Sequence, residues 1–167
     1  GYQVAIMAPT AILASQHLES FNKILEKFGI KSELLIGSVT KKKKEEILQK
    51  LENGEIDILI GTHALLEENV VFKNLGLVVT DEQHRFGVRQ RGIIVNKGKN
   101  PDVLVMTATP IPRTLALILY GDLDISIIDE LPPNRKKIDT FAVTKSMEQR
   151  VNNFIKKQVD EGRQAYI

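Results

Sequence analysis

Two adjacent carboxylates carry the sharpest chemical signal in the chain. Asp81 and Glu82 follow Leu77-Val78-Val79 after the single residue Thr80, at the mouth of a short apolar run that reads as a buried strand. A carboxylate placed there can hold Mg²⁺, chiefly through water, because Mg²⁺ keeps most of its hydration shell and takes only one or two protein carboxylates. The neighbouring carboxylate can orient or deprotonate an attacking water. An isolated Asp-Glu pair after a strand is more often a plain cap on the next helix, so context decides. Three further junctions share that context: Ala8-Pro9-Thr10, Gly61-Thr62-His63 and Thr107-Ala108-Thr109-Pro110 each end an apolar run with small or polar residues and lead into a helical stretch. In an open parallel sheet all strand carboxyl ends lie on one edge, and ligands bind in the crevice there. Helix N-termini add N–H groups and positive partial charge, which favour phosphate. Such an edge suits a polyphosphate and a metal ion beside a second anionic ligand.

The remaining candidate groups are weaker. His17, His63 and His84 show no i, i+4 pairing and the chain has no cysteine, which argues against a zinc site. His17 by itself reads as a packed or surface imidazole, whereas His84 gains interest by following the acidic pair. Lys41 to Lys44 begin a helix and run straight into Glu45-Glu46. Lysines there oppose the helix dipole, so a solvated face is the better reading. Arg85, Arg89 and Arg91 follow the acidic pair, with Lys97 and Lys99 beyond. For them, contact with a nucleotide or strand weighs equally with structural ion pairing. No Gly-x-x-x-x-Gly-Lys-Ser/Thr occurs: Gly98-Lys99 is followed by Asn100, and position 93 is Ile. A phosphate-cradling loop is not within these residues.

The elements that must position these groups follow from apolar patterning. Runs at 4–8, 33–36, 56–60, 75–79 and 103–106 read as strands, apolar on both faces as in the centre of a parallel sheet covered by helices. A helical stretch follows Pro9-Thr10 to about residue 28, with Leu13, His17, Phe21, Ile24, Leu25 and Phe28 as its core stripe and Gly29 as its stop. Thr40 is the expected N-cap of a helix to about residue 52, and Asn53-Gly54 the turn out of it. A further run at 125–128 follows a helical segment ending near Tyr120. Residues 131–137 are polar and proline-bearing, a linker. Beyond it lie a strand-like 138–143, a helix at about 146–161 closing on Gly162, and an apolar run to Ile167. The expected division is a partial first domain at 1–130, the linker, and the opening of a second domain at 138–167.

Bulk properties bound the classes. With 167 residues, 43% hydrophobic and 26% charged, the chain can build a core and is not a disordered or low-complexity polymer. No apolar run is long enough for a membrane-spanning helix, and the start has no secretory pattern. The absence of cysteine excludes disulfides and suits a reducing cytosol. A net charge of +2 is too mild to signal nucleic-acid binding by itself, so any polyanion contact must come from placement. The opening Gly-Tyr-Gln-Val and closing Ala-Tyr-Ile read as the boundaries of a piece of something longer.

Taken together, the four junctions resemble the first motor domain of a superfamily 2 helicase. Ala8-Pro9-Thr10 resembles motif Ia, Gly61-Thr62-His63 motif Ib, Asp81-Glu82-Gln83-His84 motif II and Thr107-Ala108-Thr109-Pro110 motif III. The string from Asp81 to Arg91, DEQHRFGVRQR, is similar to that of bacterial RecG-type ATP-dependent DNA helicases, as are APTAILA at 8–14, IGTHAL at 60–65 and MTATPIPRT at 106–114. Tyr120-Gly121-Asp122-Leu123-Asp124 and Ile128-Asp129-Glu130-Leu131-Pro132-Pro133 extend the resemblance over essentially the whole chain. The transcription-repair coupling translocases share Arg-Phe-Gly-Val but usually carry Glu at the position of Gln83; Gln83 and Gln90-Arg91 favour the RecG type. Thr80 departs from the family, which commonly has Ile there.

The resemblance implies an α/β fold, a RecA-like motor domain with a parallel sheet and helices on both faces, lacking the Walker A strand and loop. It implies that Asp81 coordinates the Mg²⁺ of MgATP and that Glu82 polarises the water attacking the γ-phosphate. Gln83, His84, Thr107 and Thr109 would couple nucleotide state to DNA movement. Pro9, Thr10, Thr62 and His63 would lie along the bound strand. The implied parent protein is a cytoplasmic bacterial ATP hydrolase that acts on branched or single-stranded DNA in recombination and repair. Its Walker A loop, arginine finger and wedge domain are not among these residues, so the chain alone is expected neither to hydrolyse ATP nor to bind it tightly. In such folds the Walker A strand is central, beside the motif III strand. Its loss is expected to leave a gap inside the sheet, closed by shifted strands, by the C-terminal strand or by self-association with another copy. Two rivals remain: a transcription-repair translocase, and a non-catalytic nucleic-acid-binding module of the same fold.

Overall fold

Short β-rich runs alternating with amphipathic stretches become parallel strands joined through helices, because parallel neighbours need long crossovers. The computed structural model describes residues 1–108, 124–130, 132, 135 and 138–166. The chain divides into two compact units, Gly1–Gly121 and Asp122–Ile167. In the first unit β1 (Gln3–Met7), β2 (Ser32–Leu35), β3 (Ile58–Gly61), β4 (Leu75–Thr80) and β5 (Asp102–Val105) form one five-stranded sheet in the order β2-β3-β1-β4-β5. All four pairings are parallel. Its helices are α1 (Ala11–Leu25), α2 (Lys41–Asn53) and α3 (Val88–Val95).

Strand periodicity distributes the apolar side chains to two faces. Ala5, Met7, Leu35, Leu59 and Val78 pack with Ile47 and Leu51 of α2 and Ile94 of α3. Ile6, Ala8, Ile58, Ile60 and Val79 pack with Ala14 of α1, joined by Leu13, Leu18, Phe21 and Leu25. Helices thus cover both faces, and each fully buried Leu or Ile contributes about 1.5–3 kcal/mol. The α1 stripe is narrower than its sequence pattern: Ile24 and Phe28 are exposed. Ile24 lies about 80° around the helix from Ala14 at 3.6 residues per turn, and Phe28 falls in the 3₁₀ turn Glu26–Phe28 that ends at Gly29. Thr40 occupies the N-cap of α2, but its hydroxyl makes no capping bond. Two lysines of the run meet acids, Lys43 near Glu33 and Glu46 and Lys44 on Glu67. Lys97 Nζ donates to the carbonyls of Glu67 and Val70 at 2.7 and 2.9 Å. Burial holds its ammonium below the ordinary lysine value, against the opposing pull of Glu68 and Glu67.

One buried polar side chain fixes where β1 enters the sheet. Gln3 Nε2 donates to Leu51 O and Ile56 O at 2.9 and 2.8 Å, and Gln3 Oε1 accepts from Asn74 N at 3.0 Å. A Gln3→Leu substitution removes all three bonds and strips Ile56 O and Asn74 N of this partner, while Leu51 O keeps Gly54 N. We expect a loss of about 2–5 kcal/mol, read as faster amide exchange in β1 and β4 of the full-length protein; unchanged exchange would refute it.

Three expectations need correction. Among the described residues the sheet has no interior gap: β1 is central and β5, the strand before motif III, lies at an end. Among them β5 has a neighbour only on the β4 side, and it is exposed, Leu104 by 49%, rather than buried on both faces. The runs at 125–128 and 138–143 form no strand among the described residues. Ile127, Ile128, Ile138 and Phe141 are exposed there; β-branched content makes a strand only when a partner and a packed face accompany it. In the second unit a 3₁₀ turn, Lys145–Met147, leads into α4 (Glu148–Asp160), which closes at Gly162 with φ 83°. The helix expected to end near Tyr120, most of the 131–137 linker and Ile167 lie outside the described residues. Among the described residues no helix is long and apolar enough to cross a membrane.

Candidate functional site

Register brings the junctions together. β1 and β4 run side by side with Met7 opposite Thr80, so Ala8-Pro9-Thr10 and Asp81-Glu82 leave the sheet next to one another. Asp81 N donates to Met7 O at 2.9 Å and Ala8 N to Gly61 O at 2.9 Å. On the other side Thr80 lies opposite Val105. Met106 N donates to Thr80 O at 2.9 Å, and Gln83 N to Met106 O at 3.4 Å. The sheet edge therefore carries the four junctions in the order Ib, Ia, II and III. A cleft of about 760 Å³ opens there, lined by Pro9, Thr10, Leu13, Glu82, His84, Arg85, Phe86 and Ala108.

The acidic pair splits at the backbone. Glu82 adopts φ 48° and ψ 52°, a left-handed conformation that costs a non-glycine residue about 1–3 kcal/mol. Its two carboxylates accordingly meet different partners. Asp81 Oδ2 lies 2.8 Å from His17 Nε2 on α1, with the two side chains 19% and 25% exposed. Glu82 Oε2 lies 3.3 Å from His84 Nδ1 and lines the cleft. The turn is closed by Arg85 N on Glu82 O at 2.8 Å and Phe86 N on Gln83 O at 3.0 Å.

Gln83 is buried, and Arg91 Nη1 of α3 donates to its Oε1 at 2.8 Å. Arg91 thus ties α3 to the acidic turn, while Arg85 and Arg89 are exposed. Gln90 Oε1 accepts from Gly87 N at 3.0 Å and closes the start of α3. Thr10 Oγ1 is the N-cap acceptor for Leu13 N at 3.2 Å, so the α1 N-terminus opens at the cleft. Thr62 is buried and His63 beside it is exposed; neither lines the cleft. Thr107 and Ala108 are exposed, and Thr109 lies outside the described residues.

Sequence reasoning missed His17 as a member of the site. A histidine within the apolar stripe of α1 was the available signal, but its partner is 64 positions away and is found only through the β1–β4 pairing. Asp81 has the chemistry Mg²⁺ asks for: one carboxylate oxygen is held by His17, and Oδ1 has no protein partner among the described residues. Among those residues no three His, Cys, Asp or Glu groups cluster as a metal cage. A metal at this edge would rest on Asp81 and its own waters, as Mg²⁺ commonly does.

The comparisons with known proteins agree with this geometry. The family model described as DEAD/DEAH box helicase matches residues 1–118. The chain is 54% identical over its full length to the ATP-dependent DNA helicase RecG of Bacillus subtilis (strain 168), of which it covers 24%. It is 53% identical to the RecG of Thermotoga maritima, of which it covers 21%. A solved structure of RecG bound to a three-way DNA junction superposes over the whole chain with a TM-score of 0.84 at 51% identity, the match covering 22% of that chain. The chain thus spans between a fifth and a quarter of the length of these curated relatives. With the motif II turn seated between motifs Ia and III on one edge of a parallel sheet, the chain belongs to the DEAD/DEAH box helicase family.

Proposed function

We propose that this chain forms the nucleotide-hydrolysing edge of a cytoplasmic, RecG-type ATP-dependent DNA helicase that remodels branched DNA in recombination and repair. One observation carries the reading: in a chain 54% identical to RecG over its full length, Glu82 faces the cleft that Pro9 and Thr10 also line. Mg²⁺ bound with ATP supplies charge neutralisation on the phosphates as the bond to the leaving oxygen stretches. Asp81 would hold that ion, with His17 bonded to its Oδ2. Glu82 accepts the proton of the attacking water. Gln83, His84, Thr107 and Thr109 relay the state of the cleft to the DNA. Gln83 is well placed for this, because Arg91 and Met106 hold it between α3 and the end of β5.

The strand contacts follow the same edge. Pro9 and Thr10 open α1, whose free N–H groups favour a phosphate, and exposed His63 extends the path. Residues 1–130 act as part of the first motor domain, 131–137 as a linker and 138–167 as the start of the second. The 167 residues alone carry no phosphate-loop motif and are expected to show no Mg²⁺-dependent ATP turnover. In the full-length protein, a fluorescently labelled three-way junction is expected to be unwound only with ATP and Mg²⁺. ATP-independent unwinding, or none under any condition, would refute the assignment.

A further inference from the structure

The contact between His17 and Asp81 has no place in the roles above, and its geometry gives it one. An ionised carboxylate only accepts, so the imidazole donates its Nε2–H to Asp81 Oδ2 across 2.8 Å. Phe21 flanks the ring, with centroids 6.5 Å apart. The backbone of Asp81 is fixed separately, by its N–H on Met7 O. A carboxylate torsion is otherwise broad and soft; here one oxygen is pinned from α1, and the other has no protein partner among the described residues.

We propose that His17 is a positioning residue: it holds the Asp81 carboxylate so that Oδ1 faces the Mg²⁺ of bound nucleotide. This rests on the ATPase reading of the preceding subsection. Side chains that hydrogen-bond a metal-holding carboxylate orient it and sustain its affinity. Thr10 caps α1 at the cleft, and His17 sits two turns further along the same helix, about 10 Å away at 1.5 Å per residue.

The test uses the full-length protein, with Mn²⁺ binding followed by electron paramagnetic resonance in the presence of a non-hydrolysable ATP analogue. His17→Ala is expected to weaken Mn²⁺ binding by about tenfold and to raise the Mg²⁺ concentration needed for half-maximal turnover in parallel. His17→Gln, whose side-chain N–H can reach the same oxygen, is expected to restore most of that affinity. His17→Phe keeps the ring beside Phe21 without a donor; it decides the matter with the same expectation as alanine should His17→Ala fail to fold. Unaltered Mn²⁺ affinity in the folded donor-less variant of a protein that hydrolyses ATP overturns the positioning role alone. No nucleotide-dependent Mn²⁺ binding in the unaltered protein overturns both this role and the reading it rests on.

Discussion

Glu82→Gln in the full-length protein is expected to lower DNA-stimulated ATP turnover by about 10²–10⁴-fold, the range a positioned general base contributes. The substitution is nearly isosteric and removes the negative charge, and with it the ability to accept a proton. Glutamine can keep the left-handed backbone at φ 48° and a contact with His84 Nδ1 through its amide oxygen. Asp81 is untouched, with its bond to His17 intact, so binding of MgATP is expected to stay within a few-fold. A loss confined to turnover is the signature of a group that acts on the attacking water. Turnover within tenfold of the unaltered protein would remove Glu82 from that role.

The second large effect is structural. Gly61→Ala places a Cβ 2.1 Å from Leu35 O and 3.1 Å from Leu65 Cγ. The first clash is with backbone, and Leu35 stands opposite Gly61 in the β2–β3 ladder, so neither strand can yield without opening the pairing. Both faces of β3 are buried, which removes any route for relaxation. A cost of about 3 kcal/mol or more is expected, at the upper end of overpacking, seen as rapid amide exchange through β2 and β3. Gly76→Ala is the natural contrast. The three atoms nearest its Cβ all belong to the Tyr2 side chain, the first at 2.7 Å, and Tyr2 is exposed. If the two variants are equally stable, the close approach at Gly61 has been misjudged.

Strand runs and junction chemistry were legible because the fold repeats one device. An apolar run on both faces marks a central strand, and an abrupt change to small polar residues marks its carboxyl end. That logic located β1 to β5 to within two residues and put Pro9, Thr10, Glu82 and His84 around one cleft. It failed where structure depends on a partner. The exposure of β5 follows from its place at the end of the sheet, which no local pattern encodes. The isoleucines at 125–128 have strand propensity but no ladder. The same holds for the site: the left-handed turn at Glu82, the Arg91–Gln83 bond and above all the His17–Asp81 pair are products of tertiary register. A histidine at position 17 looks like a stray polar group in an apolar stripe until β1 and β4 are laid side by side.

Asp81 and Glu82, on this edge of the sheet, are proposed to hold the metal and to face the reacting water of ATP hydrolysis. Anomalous diffraction from crystals of the full-length protein with Mn²⁺ and a non-hydrolysable ATP analogue tests this most directly. The predicted result is a manganese peak one water from Asp81 Oδ1, about 4 Å away given the hydration shell such ions keep, with the terminal phosphate beside Glu82. A manganese and nucleotide site elsewhere, with the cleft beside Glu82 empty, would contradict it.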